Sequence, residues 1–128
     1  YVMRRIRELY LKDSTVTVVL MGKCTWARRY VDWEIQASLR HGATVTPNGL
    51  LGIKLPSYNN KYGGYPPRLN KNLKQDEKQE DCYARVIDYP QRKDTIASYI
   101  EDAFQARTKR AHLIVNSRER YSYNRTCP

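Results

Sequence analysis

The sequence predicts an α/β layered fold built on a mainly parallel sheet. Three observations carry that reading. A β-branched, almost wholly apolar run at 15–21 suits a strand covered on both faces. The residues that follow at once, 26–41, switch to an apolar spacing of four. The same alternation of short buried strand and amphipathic helix then continues to residue 109, which is the pattern of a layered α/β domain rather than of a sandwich or a bundle.

Taken in order, Val2, Ile6, Leu9 and Tyr10 predict a short amphipathic helix over 2–11, ended by the turn chemistry of Asp13 and Ser14. The first strand follows at 15–21 and closes at Gly22. The helix over 27–41 is the best marked in the chain, with Ala27, Val31, Ile35 and Leu39 forming its apolar stripe. Thr25 is the expected N-cap and Gly42 the expected C′ glycine. Asn48-Gly49 predicts a turn, and 50–55 a second buried strand that stops at Pro56. Residues 56–80 read as one long irregular loop rich in Pro, Gly and Asn, entering a charge run at 71–81, and loops of that length often carry function. A third strand is expected at 82–88 and a last helix at 94–109, with Asp94 as its cap and Ile96, Tyr99, Ile100, Ala103 and Phe104 on one face. The domain is therefore drawn at 1–110 and a C-terminal tail at 111–128, with an apolar patch at Leu113, Ile114 and Val115.

Composition narrows the function classes. The 128 residues carry 23 Lys and Arg against 13 Asp and Glu, for a net charge of +10. No apolar run approaches the length of a membrane span. Charges at Arg4, Arg5, Arg7 and Glu8 break the pattern of a signal peptide. Cys24, Cys82 and Cys127 are odd in number, far apart and without metal-ligand spacing, so a cytoplasmic, reducing compartment and no metal are expected. No phosphate-binding loop or dinucleotide glycine fingerprint occurs.

The chemistry concentrates between Leu20 and Gly42, where a strand ends in Gly-Lys-Cys-Thr-Trp and a helix carrying Tyr-Val-Asp-Trp-Glu-Ile follows. Ligands of open parallel sheets collect at the carboxyl ends of strands, which is where residues 22–30 fall. On the helical wheel Glu34 lies about 60 degrees from Val31 and about 100 degrees from Ile35, beside the buried stripe. A partly desolvated carboxylate suits acid/base or charge-stabilising work. Periodicity also allows a boundary Glu paired with Arg28, Arg29 or Arg40. Trp26 and Trp33 are candidates to stack on a base, or simply to pack. Cys24 lacks a nearby His to act as a nucleophile's base, and Lys23 offers a neighbouring positive charge. His41 reads as a partner of the helix dipole.

The pattern Gly-x-x-Thr-Trp followed by Arg-Arg-Tyr-Val-Asp-Trp-Glu-Ile resembles the TIR domain family, in the bacterial TIR-like branch found in Thoeris anti-phage defence. The strand Gly49 to Pro56 and the Asp-Tyr-Pro at 88–90 also look like that branch, and the resemblance spans roughly residues 5–105. It implies a flavodoxin-like, TIR-type fold. It further implies that Glu34 is the catalytic residue for cleaving NAD at the nicotinamide–ribose bond, because the family's aromatic-Val-x-x-Glu-Ile motif lands on Tyr30, Val31, Glu34 and Ile35. Trp26, Tyr30 and Cys24 are then expected around the NAD substrate, with no further cofactor. The implied product is a cyclic ADP-ribose-type signal passed to a separate effector protein, and other TIR-like subunits are possible partners. The family's first strand and its Gly- or Ser-rich loop have no counterpart before residue 15, so the first strand and helix are expected upstream of Tyr1.

Two rival readings stand beside it. TIR domains also act as non-catalytic association modules. The +10 charge and a tail with Arg118, Arg120, Tyr121, Tyr123 and Arg125 would suit nucleic-acid binding, although the basic residues are spread along the chain and no recognition motif occurs.

Overall fold

The computed structural model describes residues 15–59, 64–73, 82–90, 92–116 and 122–125. The helix expected over 2–11 and most of the charge run at 71–81 lie outside them. Strands β1 (Val16–Met21), β2 (Gly49–Lys54) and β3 (Arg85–Asp88) pair in the order β1-β2-β3, and both pairings are parallel. The register sets Val16 against Gly49 and Met21 against Lys54, then Leu51 against Arg85 and Lys54 against Asp88. Helix α1 (Arg29–Leu39) joins β1 to β2, the one-turn helix α2 (Pro67–Asn70) lies between β2 and β3, and α3 (Lys93–Lys109) follows β3. The fold is the expected parallel α/β layer.

The two long helices cover opposite faces. Val19, Met21, Leu50 and Leu69 form one core with Ile35 and Leu39 of α1. Leu51, Ile53 and Ile87, which point to the other face of the sheet, pack against Ile96, Tyr99 and Ile100 of α3. Gly49 matters here because α3 comes within touching distance of its backbone. A Cβ at that position would run into the Ala103 carbonyl.

Several local expectations are corrected. β1 is buried on one face only: Val19 and Met21 are inside, whereas Val18 is 39% and Leu20 56% exposed. The apolar side chains of α3 that pack on that face meet β2 and β3 instead. Thr25 does not cap α1. It begins a separate 3-10 turn, Thr25–Ala27, and its Oγ1 accepts the Gly22 N–H at 2.8 Å, which closes the turn out of β1. Gly42 is not a left-handed C′ residue, because the helix has already ended at Arg40, whose backbone is extended; Gly42 N–H instead donates to the Val45 carbonyl at 3.0 Å. Asp94 sits inside the first turn of α3, paired with Arg92 at 3.0 Å. The third strand starts at Arg85 because Ala84 N–H leaves the ladder to donate to the Asn72 carbonyl at 3.0 Å.

Within the expected loop, α2 is a real element. Pro67 supplies a preset φ at its first turn. Arg68 and Leu69 are fully buried. The apolar patch after α3 also joins the core, with Leu113 and Ile114 packed against it.

Candidate active site

The site is built on the passage from β1 into α1. β1 delivers the chain to the carboxyl edge of the sheet at Met21, and the Gly22–Thr25 bond turns it back through the 3-10 turn. Arg28 then adopts an extended backbone and α1 begins at Arg29. This sequence of turns puts Cys24 and Trp26 before the helix and Tyr30 and Glu34 on its first two turns.

Glu34 is half-buried, with its Oε2 atom shielded from solvent. That is the flank position the wheel predicts. Its backbone is anchored through Ser38, whose hydroxyl donates to the Glu34 carbonyl at 2.8 Å and also lies 2.7 Å from the Thr17 hydroxyl on β1. Glu34 therefore stands on the β1 side of the helix. Tyr30, one turn earlier on the same flank, is 40% exposed and meets Trp33 edge to face, with ring centroids 5.2 Å apart. The Arg29 guanidinium lies 5.1 Å from the Tyr30 ring and 5.3 Å from the Trp33 ring, close enough for cation–π attraction to both. An aromatic and cationic surface thus lies beside the carboxylate, able to face a flat base and a diphosphate.

Trp26 is half-buried on the 3-10 turn, across Arg28 from that cluster. Cys24 is disulfide-bonded, so it presents no thiol, contrary to the expectation from the cysteine count; Cys82 is free and buried. Lys23, next to Cys24 in sequence, is exposed. His41 Nδ1 lies 3.0 Å from the Leu39 carbonyl, at the end of the helix as expected. Among the described residues there is no cluster of three or more His, Cys, Asp or Glu suited to a metal, and no helix is long and apolar enough to cross a membrane.

A cleft of about 380 Å³ opens further along the same edge, at the carboxyl ends of β2 and β3, lined by Lys54, Asp88, Tyr89, Pro90, Thr95 and Tyr99. Lys54 and Asp88 pair across it at 3.0 Å, and the hydrogen bond to Asp88 raises the lysine's pKa. Glu34 does not line this cleft.

The feature that the sequence reading passed over is Asp32, in the middle of the same motif. It is 1% exposed and faces away from Glu34 toward α2, where Arg68 holds it at 3.0 Å. On the wheel Asp32 lies about 20 degrees from Leu39, no nearer the apolar stripe than Glu34 is to Ala27 at its other margin, so periodicity did not single it out. One face of α1 is fixed to α2 by this pair, which leaves the Glu34 flank toward the β1 edge.

Comparison with known proteins finds matches to the segment that holds these residues. Residues 1–60 match the family model of the TIR-like domain of Thoeris protein ThsB. A protein of Bacillus cereus (strain MSX-D12), named as a candidate cyclic ADP-D-ribose synthase, ThsB1, is 34% identical over 61 residues, which is 48% of this chain and 29% of that protein. The chain thus spans under a third of the curated relative it matches. No solved structure matches it. Over residues 1–60, the segment that holds β1, α1 and all four candidate residues, the chain is similar to the TIR-like domain of Thoeris protein ThsB.

Proposed function

We propose that this chain is the NAD-processing TIR-like domain of an anti-phage defence protein. In that role it cleaves NAD in the cytoplasm and releases a cyclic ADP-ribose-type signal for a separate effector. The observation that carries the reading is Glu34: a half-buried carboxylate on the flank of α1, beside Tyr30, Trp33 and Arg29, inside the segment that matches the family. Departure of nicotinamide leaves positive charge on the ribose, and a fixed carboxylate in a partly water-excluded place stabilises that charge better than water does. Arg29 supplies an opposite charge suited to the diphosphate. An aromatic such as Trp26 or Tyr30 holds the adenine near the ribosyl carbon, so that ring closure competes with attack by water.

The test is nicotinamide release, followed by chromatography of the ADP-ribose species. Glu34→Gln keeps size and hydrogen bonding but removes the charge, and is expected to slow release by about a hundredfold or more while circular dichroism stays unchanged. Undiminished turnover in a folded Glu34→Gln protein removes the assignment.

A second reading has its own observation. Val18 and Leu20 leave apolar surface on β1, which among the described residues has a neighbouring strand on one side only. Such an edge suits association with another TIR-like subunit. Self-association abolished by Leu20→Lys, with NAD untouched at any protein concentration, would favour an interaction module. Salt-sensitive binding of DNA or RNA that survives Glu34→Gln would favour the nucleic-acid alternative instead.

A further inference from the structure

Arg28 is the single residue between the 3-10 turn and α1, and its backbone is extended, at φ −89° and ψ 123°. The direction of Trp26 relative to Tyr30 and Glu34 therefore depends in part on the two dihedral angles of Arg28. The local sequence does not fix them, because the Arg28 side chain makes no capping bond to the helix. The closure comes from the far end of the chain. Asn124 Oδ1 accepts the Arg29 N–H at 3.0 Å, and the Arg125 N–H donates to the Ala27 carbonyl at 2.7 Å. Two consecutive residues thus bracket Arg28 on both sides, one holding the last residue of the turn and the other the first residue of the helix.

We infer that Asn124 is a positioning residue for the candidate active site: with Arg125 it locks the joint at Arg28 and so fixes Trp26 relative to the helix that carries Glu34. The inference rests on the Glu34 reading above. The Arg29 amide is one of the orphan donors of the helix's first turn. Asn124 takes the place of the missing local cap, as an acceptor supplied 95 residues along the chain. The bond is exposed, so water can replace it; its loss loosens the joint without unfolding a domain whose core lies elsewhere. Asn124 and Arg125 thus serve aim rather than stability.

The test uses Asn124→Ala and Asn124→Asp in the full chain. Loss of a capping acceptor is expected to speed amide exchange at Arg29 about fivefold in Asn124→Ala. Asn124→Asp keeps an acceptor oxygen and adds a charge that the helix N-terminus favours, so it restores protection. With NAD as substrate, Asn124→Ala is expected to shift the ratio of cyclic to linear product in the same direction as Trp26→Ala, and to raise KM more than it lowers kcat, while Asn124→Asp returns both to the parent value. Unchanged exchange at Arg29 in Asn124→Ala overturns the lock. Faster exchange with an unaltered product ratio and KM overturns the positioning role. The exchange measurement needs no turnover, so failure of the lock is distinguishable from failure of the Glu34 assignment, which Glu34→Gln tests separately.

Discussion

Arg68 reaches back 36 residues to grip Asp32, with Nε 3.0 Å from Oδ1 and a terminal nitrogen 3.4 Å from Oδ2, both side chains sealed from water. A third bond from Arg68 goes to Asn116 Oδ1 at 3.0 Å, and Asn116 donates in turn to the Gln36 carbonyl at 3.3 Å. Asn72, one turn after Arg68, donates to its carbonyl at 2.9 Å and exchanges two bonds of 2.8 Å with the backbone of Val115. The network ties α1, α2 and the segment after α3 into one unit beneath the candidate site.

Breaking that pair from one side leaves a buried charge without its counterion. Arg68→Met is expected to cost about 3–5 kcal/mol, measured by urea unfolding. Adding Asp32→Leu to the same protein should recover most of that loss, because the desolvation cost of both ions disappears together. A single variant as stable as the parent would show that the pair contributes nothing to the fold.

Gly49 and Gly42 make a matched comparison. Gly49→Ala drives a methyl into the Ala103 carbonyl of α3 and should lower stability by about 1–3 kcal/mol. Gly42→Ala meets nothing within 4 Å and has no left-handed backbone to strain. Reduced freedom of its unfolded chain should leave it neutral or about 0.4–1 kcal/mol more stable. Thermal denaturation of the two variants side by side reads the difference.

Alkaline pH should test the Tyr83 phenol. It donates to the Asn48 carbonyl at 2.6 Å, and burial pushes its pKa up to about 12 from the ordinary 10. The folded protein therefore holds this proton more tightly than the unfolded chain does. The stability it contributes is complete below pH 10 and is lost as pH rises through the folded value near 12. Tyr83→Phe should be less stable at neutral pH, from the lost hydrogen bond, and should show a weaker decline between pH 10 and 12, followed by unfolding at each pH.

At the acid end the group to follow is Asp102. The Arg110 guanidinium, bonded to it at 2.9 and 3.1 Å, holds its carboxyl below the usual 3.8, with Arg85 adding to the effect. Its folded pKa is depressed, so its contribution is present above pH 3.8 and disappears as pH falls through the folded value. Asp102→Asn should lose stability at pH 7, and that deficit should shrink toward zero in the most acidic samples, where the parent carboxyl is protonated too.

Trp26→Ala separates binding of the base from cleavage. Nicotinamide release should change less than the ratio of cyclic to linear ADP-ribose, because ring closure depends on where the adenine is held. Chromatography of the products decides it, and a ratio equal to the parent's would remove Trp26 from the substrate site.

What the sequence determined by itself is the part written in short-range pattern. The apolar run at 15–21, the four-residue stripe through Ile35 and Leu39 and the face of α3 through Ile96 and Ile100 gave strands and helices close to those observed, and their alternation gave the parallel sheet. The flank position of Glu34 followed from the same 100-degree step, whereas neither the burial of Asp32 nor its partner did. Tertiary structure alone decided the rest. α2 is one turn long, too short to leave a periodic trace, and Arg68 is buried because a carboxylate 36 residues earlier waits for it. The N-terminus of α1 is closed by Asn124 rather than by Thr25, since a local capping motif specifies only which bonds neighbouring residues are able to make. Thr25 spends its hydroxyl on Gly22, and the orphan amide at Arg29 is satisfied by whatever acceptor the folded chain brings to it. Pairings of that kind are set by distances in the packed molecule, and no window of sequence contains both partners.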